Sequence, residues 1–224
     1  MPKSSWWQIA KTDLHCQSLK IDFSQARSKR ILLLSDLHWD SAKCQLPQLK
    51  AVLDQAKEEA APIFLFGDTW DAMQGKYDPR ANQDDLRPEF RGPNYLDKLV
   101  DLAFDWLKPY LENLAVISYG NHETAITKRH EVDLVQRFAG LARREGSPVL
   151  VGQYWGYLMI LGTVFARTEL ISRLHYSHGH GGGGEITRGL IDWSRVRGQY
   201  EADIFVSGHI HRRNLEENII TRMT

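Results

Sequence analysis

Ile31-Leu32-Leu33-Leu34-Ser35-Asp36-Leu37-His38 is the stretch on which the fold turns. Four apolar residues in an unbroken run fit a strand buried on both faces. The run ends on a carboxylate and an imidazole. The same pattern returns as Ile63-Phe64-Leu65-Phe66-Gly67-Asp68, with Asp71 three residues on, and again as Leu114 to Ser118 followed by Gly120-Asn121-His122-Glu123. Between the first two runs, Leu46, Leu49, Val52, Leu53 and Ala56 recur at helical spacing with polar residues between them. Between the second and third, Leu96, Leu99, Val100, Ala103, Phe104 and Leu107 do the same, predicting a helix over 96–111. This β-α-β-α-β order predicts a mostly parallel sheet with helices packed on it.

The later chain is less regular. A helix is expected over 131–144 and strands over 157–165, 170–177 and 204–207. The hairpin-like pair among them implies antiparallel strands and hence a second sheet. The segment 73–95 is polar, rich in Pro, Gly and charge, and reads as a surface insertion.

At 224 residues the chain fits one domain, 1–224, with a two-layered core. Apolar residues make up 42% and charged residues 25%, the balance of a globular protein and not of a disordered one. Lys+Arg and Asp+Glu both number 28, so bulk charge favours neither nucleic acid nor membrane nor an acidic partner. Attraction for phosphate must then come from a local site. Two cysteines without paired spacing, Cys16 and Cys44, argue against a disulfide framework and for a reducing compartment. No stretch approaches the roughly 20 apolar residues of a membrane span, and the amino terminus lacks a signal-peptide core. The expected location is cytoplasmic.

Five of these strand-like runs end in residues of the types that bind metals. Asp36 and His38 follow the first, Asp68 and Asp71 the second, Asn121 and His122 the third. His178 follows 170–177, and Gly208-His209-Ile210-His211 follows the last. Ligands in open α/β sheets bind outside the carboxyl ends of strands, so five strand ends would deliver these groups to one edge. Any single motif is commonplace. Together they would form an electrostatically costly cluster that a pair of dications would satisfy. Mixed Asp, His and Asn donors suit Mn, Fe, Zn or Ni better than Ca.

The ordered set Asp36-x-His38, Gly67-Asp68-x-x-Asp71, Gly120-Asn121-His122-Glu123, His178-Gly179 and Gly208-His209-x-His211 resembles the calcineurin-like metallophosphoesterase superfamily, over about residues 31–214. The resemblance implies an α/β fold, a four-layer α/β/β/α sandwich with two mixed sheets. It implies that Asp36, His38 and His211 hold one divalent ion and Asn121, His178 and His209 another, with Asp68 bridging; Mn is the first expectation. Metals about 3.5–4 Å apart clamp both the attacking and the leaving oxygen. His122 is the implied general acid, with Asp71 orienting its ring and raising its pKa. His180 is the alternative ligand to His178, and the glycines 181–184 offer either a phosphate nest or a flexible loop.

The substrate is less legible. Asp71 is followed by Ala72-Met73 where protein phosphatases carry Arg-Gly, and Ser-Asp-Leu-His is more like the phosphodiesterase and nuclease branches. The stretch 181–189 is similar to phosphoesterases of bacteriophages and prophages. Lys76, Tyr77, Arg80, Arg87, Arg91 and Tyr95 are candidates to grip a phosphodiester, as are Arg188 and Arg195, against the reading of a solvated loop. Trp39 and Trp70 adjoin ligand motifs and read as packing residues, with a cleft wall as the alternative. The leading expectation is a phosphodiesterase acting on a nucleic acid or nucleotide; the alternatives are a small-molecule phosphomonoesterase and an inactive, metal-bound scaffold for protein partners. Only 13 residues follow His211, which suggests a truncated carboxyl terminus and a second sheet short of an edge strand. Such an edge would favour a homodimer.

Overall fold

The computed structural model describes residues 6–73, 81–181, 190–211 and 215–217. The first sheet contains β3 (Leu32–Leu34), β4 (Ile63–Phe66), β5 (Leu114–Ser118) and β6 (Leu150–Val151), in that order and parallel throughout. The second contains β1 (Trp7–Asp13), β2 (Cys16–Asp22), β7 (Trp155–Val164), β8 (Arg167–Ser177) and β9 (Ile204–Ser207), ordered β1-β2-β7-β8-β9. Its pairings alternate antiparallel and parallel, so this sheet is mixed where the first is not.

Among the described residues five helices join the strands: α1 (Leu46–Glu58), α2 (Tyr95–Leu107), α3 (Asn121–His130), α4 (Leu134–Arg144) and α5 (Leu190–Gln199). In β4, Ile63 and Leu65 face the helices while Phe64 and Phe66 face the second sheet, the period-two alternation of a strand covered on both sides. β5 carries an extra residue, Ala115, where its register with β4 slips between Leu114 and Val116. The helix-side core joins α1, α2 and α4 to the first sheet. The core between the sheets is made by Leu19, Ile21, Leu158, Ile160, Leu174 and Tyr176 against Phe64, Phe66 and Val116. On the far side of the second sheet, α5 leads into Tyr200, whose ring stacks on His175 at 4.3 Å.

Several sequence expectations shift in detail. β3 is half-buried because it is the edge strand of its sheet. The helix expected over 96–111 ends at Leu107, where a tighter turn over Lys108–Tyr110 takes in Pro109. The helix expected to start at residue 131 starts at Leu134, capped by Asp133, whose carboxylate accepts from Gln136 N at 2.9 Å. The insertion over 73–95 is not purely a surface feature. Leu86 and Phe90 are buried in the helix-side core, and Phe90 meets the Trp39 ring. Polar neighbours hid these two anchors from a compositional reading.

Candidate metal centre

The carboxyl ends of β3, β4, β5, β8 and β9 meet at one edge of the sandwich, and each carries the residues that the motifs single out. The strand ends stay laced together past the sheet: Asp36 N donates to Gly67 O at 3.1 Å and His38 N to Asp68 O at 3.1 Å. The turns are tight. Asp36, His38, Asp68, His209 and His211 all lie in the left-handed region, with φ of 55°, 43°, 47°, 73° and 38°. Asp and His tolerate that region better than most side chains, yet each such residue costs on the order of 1–2 kcal/mol. Five at one edge mark it as a place where backbone energy is spent on side-chain direction. Gly120 is required by space: a Cβ there would collide with the Asp68 carboxylate.

The side chains converge in three overlapping groups whose ligand atoms lie within 4.8 Å of one another: Asp36, His38 and His211; His38, Asp68 and His122; Asp68, His178 and His209. His38 and Asp68 each belong to two of these three groups of described residues. In the first group His38 Nε2 and His211 Nε2 face each other at 3.2 Å, and His211 Nε2 is 3.3 Å from Asp36 Oδ1. In the last, Asn121 Oδ1 lies 3.0 Å from His178 Nε2 and 2.8 Å from His209 Nδ1, and His178 Nε2 is 3.0 Å from Asp68 Oδ2. The far nitrogens are anchored on backbone carbonyls, His178 Nδ1 on Phe66 O at 3.3 Å and His209 Nε2 on Gly181 O at 3.0 Å. That arrangement turns the other nitrogen of each ring inward, as outer hydrogen bonds do for metal-binding imidazoles. Lone pairs of two imidazoles and an amide oxygen pointing at one spot fit a divalent cation.

The electrostatics agree. Burial works against charge on His38 and His178, but the neighbouring carboxylates outweigh it and hold both above the ordinary histidine range. Burial likewise opposes charge on Asp68, and His178 and His122 overcome it, keeping the carboxyl below its usual value. In the protein alone, a proton on either ring would offset the charge that bound cations would otherwise balance.

His122 corrects one expectation. Its Nδ1 hydrogen-bonds the backbone carbonyl of Asp71, and the Asp71 carboxylate is 3.9 Å away. That carboxylate is closer to His38 Nδ1, at 3.0 Å. Asp71 therefore steadies His38 through its side chain and His122 through its main chain. Burial, the largest influence on His122, lowers its pKa instead of raising it. The Asp68 and Asp71 charges oppose the shift without reversing it, and the neighbouring His38 adds to the lowering.

Two buried carboxylates, one of them within a quoted motif, carry roles that the sequence reading did not assign. Glu123 accepts from Gly120 N at 2.8 Å, Asp68 N at 3.1 Å and Trp70 N at 3.3 Å, locking the β4 turn to the start of α3. Burial, and then the Asp68 charge, raise its pKa. Asp68 returns the contact, its Oδ1 accepting from His122 N at 3.0 Å in the first turn of α3. Asp40 accepts from Asp71 N at 2.6 Å and from Tyr95 OH at 2.5 Å. Proximity to the motifs was the available signal: Glu123 directly follows His122, and Asp40 stands two residues after His38.

Of the residues considered for gripping a phosphodiester, those described are engaged elsewhere. Arg87 stacks on Trp39 at 4.4 Å and pairs with Glu89, Arg91 bonds Leu86 O, and Tyr95 serves Asp40. Arg195 is exposed on α5. Lys76, Tyr77, Arg80, Arg188 and glycines 182–184 lie outside the described residues. His180 is exposed, whereas His178 is 1% exposed within the cluster. Trp39 and Trp70 are core residues, Trp70 donating to Leu99 O at 3.2 Å.

Parallel-strand ends carrying a buried His/Asp cluster beside an open cavity define a metal-dependent hydrolase of phosphoric esters. The family model for calcineurin-like phosphoesterases matches residues 29–213, and the chain belongs to that family. Searches of curated proteins and of solved structures returned no match.

Proposed function

We propose that the protein is a binuclear phosphodiesterase acting on a nucleic acid or nucleotide, with manganese as its metal. Asp36, His38 and His211 would hold one ion and Asn121, His178 and His209 the other, with Asp68 as the carboxylate shared by both. Asp68 shares one donor group with His38, of the first set, and another with His178 and His209, of the second; this supports the bridging role, since one carboxylate offers two oxygens and a charge to two neighbouring cations. Bound there, divalent ions polarise phosphoryl oxygens and activate a water. His122 keeps Nδ1 against the Asp71 carbonyl, so a proton carried on Nε2 is the one available to a departing oxygen.

The observation that carries the diester reading is the cavity into which the cluster opens, about 710 Å³ in volume and lined by Asp36, His38, Asp68, His122, His209 and His211 at one end. It has room for a phosphoryl group bearing two substituents. Manganese-loaded protein is expected to turn over bis-p-nitrophenyl phosphate with a higher kcat/KM than p-nitrophenyl phosphate. The reverse order would make it a monoesterase. No turnover of either, with two metals per chain measured by elemental analysis, would leave the scaffold reading.

A further inference from the structure

Val52 is out of step with the helix that carries it. On α1, Leu49, Leu53 and Ala56 are buried, whereas Val52 is 37% exposed. It lines the cavity that opens at the metal centre, with Leu37, Cys44 and Met73. Gln45 and Gln48 line it too, Gln45 Nε2 donating to Lys43 O at 3.4 Å and leaving its amide oxygen unused by that bond. Lys43 is the one Lys or Arg among the described residues lining the cavity, and Asp85 meets its charge at 3.0 Å. A nucleic-acid strand is tracked by successive unpaired cations, each phosphate contact adding to a steep salt dependence. This wall supplies an apolar surface edged by neutral amides instead.

We propose that the α1 side of the cavity is a subsite for an uncharged, partly apolar organic substituent of the phosphoester, of about nucleoside size. The substituent's body rests on Leu37 and Val52, and its hydrogen-bonding edge meets Gln45 and Gln48. The inference rests on the phosphodiesterase reading and narrows it, from nucleic acids in general to small diesters with one phosphoryl group.

The test uses manganese-loaded protein with bis-p-nitrophenyl phosphate, a dinucleoside monophosphate and a long single-stranded oligonucleotide, each at low and high salt. Expected are kcat/KM values that do not rise from the dinucleoside monophosphate to the oligonucleotide, and that change little with salt. Val52→Glu puts a carboxylate on the wall; it is expected to raise KM for the dinucleoside monophosphate about tenfold, as the loss of one apolar contact does. Because Val52 is partly exposed, α1 tolerates the change, and circular dichroism checks this. An unchanged KM in Val52→Glu, or a kcat/KM that climbs with strand length and collapses in salt, overturns the subsite while leaving a phosphodiesterase. Absence of turnover for every diester by the wild type removes both readings together.

Discussion

His122 is held by a carbonyl, and this changes what its substitution tests. Nδ1 is committed to Asp71 O, while Nε2 sits 3.5 Å from Asp68 Oδ2 at the cavity edge. With its pKa lowered by burial, the ring is a strong acid once protonated and a poor store of protons otherwise. Such a group matters most when the leaving oxygen is basic. His122→Ala is expected to keep the wild-type metal content and to slow hydrolysis of a phenyl ester about 10²–10⁴-fold, with a much smaller loss for the p-nitrophenyl ester. Steady-state kcat for the two esters, beside metal content, decides the matter. Equal losses for both would remove the acid role and leave His122 as a packing residue of the cluster.

At the scale of elements, the metal centre depends on how α2 and α3 are tied to the strand ends. Tyr95 opens α2 and donates to the buried Asp40, which in turn holds the amide of Asp71. Tyr95→Phe deletes one oxygen and leaves that carboxylate a partner short, a loss of about 2 kcal/mol. For a chain of this size the thermal midpoint should fall by about 4–8 °C. An unchanged midpoint would show that the tie contributes nothing. The elements legible in the sequence were those that bury a regular face. β4 and β5 read as apolar runs, and α1, α2 and α4 as amphipathic helices. α3 was missed because Asn121–His130 buries only His122, Glu123 and Ile126; Asp68 and Glu123 fasten it at its first turn. The β1–β2 hairpin was missed because β1 is an edge strand, polar along most of its length. The residues of the cluster were readable because strand ends leave few other uses for Asp and His that recur together. Asp40 and Glu123 were not, because a lone acid in a sequence reads as solvated.

Across the whole molecule, the second sheet carries a titratable group of its own, remote in role from the metal centre. His175 on β8 is 1% exposed, enclosed by the rings of Trp155, Tyr157, Tyr200 and Phe205, and its Nε2 has no hydrogen-bond partner among the described residues. Burial alone pushes its pKa down to about 4, against about 6.5 in an unfolded chain. Between those two values the unfolded chain takes up a proton that the folded one refuses. Stability from this residue is therefore complete above about pH 6.5 and falls progressively as pH drops towards 4. His38 and His178, held above the ordinary range, act in the opposite sense in the metal-free protein, so the bare pH profile mixes the contributions. The difference between wild type and His175→Phe isolates one of them. Thermal midpoints of the two metal-free proteins, compared from pH 7.5 down to 4.5, should show the wild type losing ground to the variant below about pH 6.5 and holding a constant offset above it. Parallel curves would mean that His175 is protonated in the folded state as readily as in the unfolded one, and the aromatic enclosure around β8 would then have to admit charge.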